Sequence, residues 1–218
     1  MCLADTVDDL IRRWQLRWGM TMDLEPAEEA RGALHVPVGR PDRHVEVIAL
    51  HDDPDTVRAL AAEVADAADR GRLTVPTNDP DVVEPILKAA ELELVGQPEW
   101  FMTTDLREHP SSIPRAPYST ALIENGPVIE VQLLTPSGYA AARGTMVALG
   151  SDAVAHNIET VPEHRRRGLG RVVMGALAHE ALTRGATTGL LIASDDGRQL
   201  YEALGWVTRA TVLSARRG

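Results

Sequence analysis

The chain of 218 residues has one cysteine, Cys2, which excludes an internal disulfide and any cysteine-cluster metal site. No apolar run approaches ~18 residues, so no membrane-spanning helix is expected. A basic excess is also missing. The formal net charge is −10, which disfavours a general nucleic-acid binder. The opening MCLADTVDDL lacks the positive charge and apolar run of a signal peptide, with Asp5, Asp8 and Asp9 in their place. A cytoplasmic protein is the expectation. The seven histidines show no metal-ligand spacing, so no metal site is expected either. What is present is ordinary for a globular protein. Apolar residues make up 44% and charged residues 25%, which excludes disorder as the main state.

Charge divides the chain unevenly. Residues 1–110 carry 11 basic against 23 acidic side chains, a net −12, whereas residues 111–218 carry 11 against 9, a net +2. An acidic front attracts cationic molecules and a basic spot holds an anion, although an acidic surface also serves solubility alone. Hydrophobic periodicity predicts a first helix over Thr6–Trp18, stopped by Gly19. Strands follow at Ala33–Val38 and His44–Leu50, then a helix from His51-Asp52-Asp53-Pro54 to about Asp69. A strand at Leu73–Pro76 precedes a helix from Pro80 to about Leu94, and Trp100–Leu106 is the next strand.

His109–Pro117, rich in proline and serine, reads as a linker between residues 1–109 and 118–218. Beyond it an antiparallel meander is predicted over Tyr118–Glu124, Val128–Leu134, Ala140–Leu149 and Ala153–Thr160, with a hairpin at Asn125-Gly126. A helix over Leu169–Arg184, a strand at Gly189–Ala193, a helix from Ser194 to Leu204 and a strand at Trp206–Ser214 complete the order. Each half thus reads strand, helix, strand, helix, strand, which suggests an internal duplication.

The stretch with chemical content is His156–Gly170, H-N-I-E-T-V-P-E-H-R-R-R-G-L-G. A strand runs out near Thr160, and a helix begins directly after Gly168-Leu169-Gly170. A helix start exposes unpaired amides and the positive end of the helix dipole. Glycines permit close approach, and arginines add fork-shaped donors. These features call for a phosphate or pyrophosphate. No G-K-[ST] ending is present, which excludes a nucleotide P-loop. The preceding sheet is antiparallel, which argues against a dinucleotide fold.

Residues 118–214 resemble the GNAT superfamily of acyl-CoA-dependent N-acyltransferases. Arg165, Gly168 and Gly170 match its [Q/R]-x-x-G-x-[G/A] signature, which comes after the fourth strand of this half and whose arginine ends the run T-V-P-E-H-R. Leu200-Tyr201-Glu202-Ala203-Leu204-Gly205-Trp206 matches its tyrosine-bearing helix. Thr160 stands where an apolar residue is usual, and Ser194 where many members have asparagine.

The resemblance implies an α/β fold with a mixed, mostly antiparallel sheet flanked by helices. It also implies acetyl-CoA as co-substrate. The pyrophosphate would be wrapped by the amides of Arg166, Arg167, Gly168, Leu169, Gly170 and Arg171, beside Arg165. The pantetheine arm would pair strand-fashion near Ile158, Thr160 and Val161, with Ser194 nearby. Tyr201 resembles the family's general acid.

The attacking amine needs a base, and His156 and Glu159 are both candidates. The first half has no corresponding loop. If the halves are duplicates, that half has lost CoA binding, and 1–109 is a degenerate GNAT-like region. The expected reaction is direct transfer of an acetyl group to a primary amine of a small cationic molecule. Two alternatives stay open: a non-catalytic acyl-CoA-binding sensor or interaction module, and a protein N-acetyltransferase. A homodimer is compatible with the sequence.

Overall fold

The computed structural model describes residues 5–67 and 70–218. Helix α1 (Val7–Thr21) starts at Thr6, whose hydroxyl accepts the Asp9 amide. Acids in its first turn suit the helix dipole. It runs past Gly19, the expected stop, because its buried stripe of Leu10, Ile11, Trp14 and Trp18 is held down to the last turn. Then come β1 (Glu28–Ala30), β2 (Ala33–Arg40) and β3 (Arg43–Ala49). The three residues of β1 are too short and polar for a strand pattern to show.

Helix α2 (Pro54–Asp66) is capped by the Asp53 carboxylate and ends earlier than expected. The rest of the expected turn, 68–69, lies outside the described residues. Strand β4 (Gly71–Thr77) and helix α3 (Pro80–Ala89) follow. The predicted helix to Leu94 is corrected here. Glu91 takes φ +60°, and Leu92–Leu94 forms strand β5. Strand β6 (Glu99–Asp105) closes the first half.

Residues 109–117 are not a free tether. They cross α4 (Leu169–Thr183) so closely that a side chain at Gly175 would meet Pro110 O at 3.2 Å and Ser112 N at 3.1 Å. The second half then runs β7 (Ser119–Asn125), β8 (Val128–Leu134), β9 (Ala140–Leu149), β10 (Asp152–Thr160), α4, β11 (Thr188–Ala193), α5 (Asp195–Glu202) and β12 (Val207–Arg217).

The strands of the described residues form one 12-stranded sheet, in the order β1-β2-β3-β4-β12-β6-β11-β10-β9-β8-β7 with β5 alongside β12. Two pairs are parallel, β3 with β4 and β10 with β11, at matching places in the two halves. The halves also exchange their last strands. β6 pairs with β11 over Trp100–Asp105, and β12 pairs with β4 over Thr211–Arg216.

Apolar alternation along the strands separates two faces. On one, Val154, Leu190, Phe101, Val212 and Ile48 pack under α1. On the other, Ala153, Ala155 and Leu191 pack under α4, while Val47, Leu73 and Leu213 pack under α2 and α3. Among the described helices α1 therefore lies alone on its face, and it spans both halves. Its position is fixed by charge. Asp152, 3% exposed, receives the guanidinium of Arg13 and that of Arg17 at 2.9 Å, and Arg17 also donates to Leu149 O at 2.8 Å.

Candidate active site

The parallel pairing of β10 with β11 covers only Asp152–Val154. Beyond Val154 the two strands diverge, while β10 keeps its bonds to β9 and β11 keeps its bonds to β6. The facing edges past that point carry unpaired backbone groups, the raw material for strand-like pairing with a ligand. The divergence coincides with a bulge in β10. Its register shifts between His156 and Glu159, and Asn157 takes φ +51°. Asparagine is among the few residues that accept this conformation without a severe penalty. The bulge turns Ile158 onto the α4 face, where its side chain touches the space above Gly144. His156 stays on the α1 face.

At the open end of the gap lies the arginine-glycine loop. Arg166 takes φ +62° and Gly168 takes φ +75°, so two positions within three residues are left-handed. The two glycines are needed for different reasons. Gly168 has open space around its absent side chain but a backbone that suits glycine, whereas a Cβ on Gly170 would lie 3.0 Å from Leu200 Cδ2 of α5. Among the described residues the amides of 166–171 find no acceptor, and they cluster at the start of a 15-residue helix. The loop is braced from behind. Arg167 donates to Tyr118 Oη at 2.9 Å and to Glu163 O at 3.1 Å, and Tyr118 Oη lies 2.8 Å from His164 Nδ1. Arg165 Nε donates to Thr160 O at 3.1 Å, closing the turn. The guanidiniums of Arg166 and Arg171 have no partner among the described residues and border the opening.

One cavity of about 1120 Å³ joins these parts. Its lining includes Leu169, Gly170, Leu200 and Tyr201 from the α4 side, and Trp14, Trp18, Glu46 and Glu99 from the α1 side. It therefore passes through the sheet where β10 and β11 part. The structure brings to it His156, Ile158, Glu159, Thr160, Arg165, Arg166, Gly168, Leu169, Gly170, Arg171, Ser194 and Tyr201. Val161 and Arg167 stay outside its lining. The Val161 amide is spent on Ala141 O at 3.0 Å, and Arg167 serves the brace.

Tyr201 is buried, with its ring tilted against Trp206 at 5.9 Å, and burial pushes its hydroxyl up to about 12. It remains a protonated phenol at any working pH. Ser194 caps α5 by accepting the Gly197 amide at 3.4 Å. His156 is held below the usual histidine range by burial first and by the charge of Arg40 second, so it is neutral near pH 7. Glu159 is half-exposed and paired with Arg143.

Sequence reading did not single out the charged residues of the far wall. Glu46 is buried beneath Arg43, Arg72 and Thr74, and Glu99 reaches the cavity from β6. Burial pushes the Glu99 carboxyl up, against the pull of Arg72. Trp14 and Trp18 stack at 5.3 Å and serve both the α1 core and the cavity edge. No local signal marks Glu46 and Glu99, which stand in strands of ordinary pattern and are brought to the site by the order of the sheet.

In the first half the corresponding place between β3 and β4 is shut. Asp52 Oδ2 accepts from Thr77 Oγ1 at 2.8 Å and from the Asn78 amide at 3.2 Å. A carboxylate at this position closes the strands and repels anions.

The family model described as FR47-like protein matches residues 140–213, which span β9 to β12 and the loop. A GCN5-related N-acetyltransferase from Kribbella flavida superposes with a TM-score of 0.71, at 16% identity, covering 97% of this chain and 96% of that one. A GCN5-related N-acetyltransferase from Sphaerobacter thermophilus gives 0.61 at 11% identity, covering 84% and 76%. A tandem GNAT protein from the clavulanic acid biosynthesis pathway gives 0.58 at 16% identity, covering 85% and 78%. No curated protein matches the chain in sequence. The structural likeness extends over both halves of the chain and bears out the expected fold.

Proposed function

For a chain that has the GNAT fold, we propose that it transfers an acetyl group from acetyl-CoA to a primary amine of a small molecule, with both substrates bound at once. The observation that carries this reading is the through-sheet cavity, lined by a loop of unpaired amides and free arginines and by a neutral phenol. Bound acetyl-CoA supplies an activated acyl group on sulfur. The amides of 166–171 and the free guanidiniums of Arg166 and Arg171 suit its pyrophosphate. The unpaired edge of β10 past Val154 suits the amide-bearing pantetheine arm and leads it to the bulge.

The acceptor then lies on the α1 face. Its nitrogen forms a bond to the acyl carbon as the carbon–sulfur bond breaks. One proton leaves the nitrogen, and the sulfur takes one. Holding both partners in one cavity removes the entropic cost of bringing them together. Tyr201, on the α4 side, is the proton donor for sulfur. His156, neutral and on the α1 side, is the better-placed base, whereas Glu159 is already engaged by Arg143. In this reading residues 118–218 carry the CoA chemistry and residues 1–109 form the acceptor wall as a degenerate copy. The cationic acceptor expected from sequence is kept for its ammonium end only, because the wall holds arginines as well as acids.

Two measurements test this. Calorimetry with acetyl-CoA should show binding to the native chain and an increase in Kd of about ten- to a hundredfold in Gly168→Val/Gly170→Val. That range follows from overpacking of about 1–3 kcal/mol plus a forced left-handed valine. Equal affinities would remove the loop from the site. For the base, the pH profile of kcat should fall on the acid side as His156 takes up a proton, with its midpoint below the usual histidine range. His156→Gln should abolish that limb, and a limb that survives the change assigns the base elsewhere.

A further inference from the structure

The wall beneath α1 carries more charge than moving an acetyl group requires. Arg43 Nη1 and Arg72 Nε both donate to Glu46 Oε2, at 2.7 Å and 3.1 Å, and the Thr74 hydroxyl donates to Oε1. Glu46 is 4% exposed, so its acceptor capacity is spent inside this group. The guanidiniums are not. Arg43 Nε is buried without a partner, and among the described residues neither Nη of Arg72 has one. Arg43 also lies over the Trp18 ring, 5.8 Å from its centroid. On the same face, Glu99 borders the cavity with no hydrogen bond or ion pair among the described residues. The wall thus offers a paired cationic site with spare donors and, within the field of Arg72, one carboxyl that has no hydrogen bond or ion pair among the described residues.

We infer that the acceptor is an amine that also bears a carboxylate, with the carboxylate on Arg72 and Arg43 and the ammonium directed to Glu99. This rests on the acetyl-transfer reading above. A guanidinium with a free fork matches a carboxylate through two parallel bonds, and buried donors left unpaired are costly. A plain cation would meet two arginines as like charges. A plain anion would face Glu99 and Glu46. A molecule with both charges fits the arrangement, and the shared chemistry is that of a free amino acid or a short peptide.

The test uses the full chain with L-amino acids, their carboxamides and dipeptides, read in two ways: release of free thiol from acetyl-CoA, and the ligand-induced rise in Tm. At least one carboxylate-bearing amine should raise Tm and be acetylated with kcat/KM about 10- to 100-fold above its carboxamide. Success with amino acids or with dipeptides identifies the source. Arg72→Gln should lower kcat/KM for the acid toward that of the carboxamide. Arg72→Lys, which keeps a charge beside Glu46 but no fork, should fall between and guards against a folding defect. Three results overturn the inference: carboxamides performing as well as acids, both Arg72 variants weakening the two classes by the same factor, or no carboxylate-bearing amine shifting Tm. The transfer reading fails separately. Amino acids giving an Arg72-dependent shift while acetyl-CoA does not bind would uphold the carboxylate site and overturn the transfer.

Discussion

Replacing Tyr201 by phenylalanine lowers kcat for acetyl transfer by about 10²- to 10⁴-fold, the range a positioned proton donor contributes. The affinity for acetyl-CoA stays within a few-fold. The change is structurally mild, because the ring packs against Trp206 and Gly197 while the hydroxyl has no protein partner among the described residues. Nothing in the core is left unsatisfied when the oxygen is lost. The effect therefore falls on the chemical step, and kcat and kcat/KM drop together. Steady-state kinetics with a good acceptor, beside calorimetry with acetyl-CoA, separates the two quantities. An unchanged kcat would show that the leaving sulfur takes its proton elsewhere.

Replacing Asp152 by alanine costs about 3–5 kcal/mol, because Arg17, nearly buried, loses its carboxylate partner and faces Arg13, which keeps only the exposed Asp5. Against a total stability of roughly 5–15 kcal/mol this is a large fraction. At ~2–4 °C per kcal/mol for a domain of this size, Tm should fall by roughly 6–20 °C. Activity should suffer before unfolding does, because α1 carries Trp14 and Trp18 to the cavity edge. Thermal melts of Asp152→Ala beside Asp152→Asn check this. A shift under about 2 °C for alanine would mean that water replaces the carboxylate.

The sequence discloses those parts of the site in which neighbours in the chain are neighbours in space. Arg165, Gly168 and Gly170 sit in one turn, and Tyr201 sits on the helix after the next strand, so their order alone places them on one cavity. The meander and the helix starts at Asp53 and Ser194 are legible for the same reason. The bulge at Asn157 leaves no mark, because asparagine serves many other purposes. Glu99 and Arg72 are hidden by topology. They stand in strands with nothing unusual in their patterns, and they reach the site because β6 and β12 change places. The same exchange makes the acidic balance of the first half a poor guide, since the residues that face the cavity are a mixed subset of it.

The exchange of last strands bears on how the protein is made. β12 lies between β4 and β6, both of which leave the ribosome at least a hundred residues earlier. Until residues 207–217 emerge, β4 waits with an open edge, and β6 has only β11 for company. The first half is thus an unfinished sheet until that strand arrives, exposed to misplaced pairing with any other strand nearby. The last described strand is also the one that seals the centre, so a nascent chain interrupted before it has neither half complete. Quality control that recognises exposed strand edges would distinguish finished molecules from unfinished ones by this one insertion.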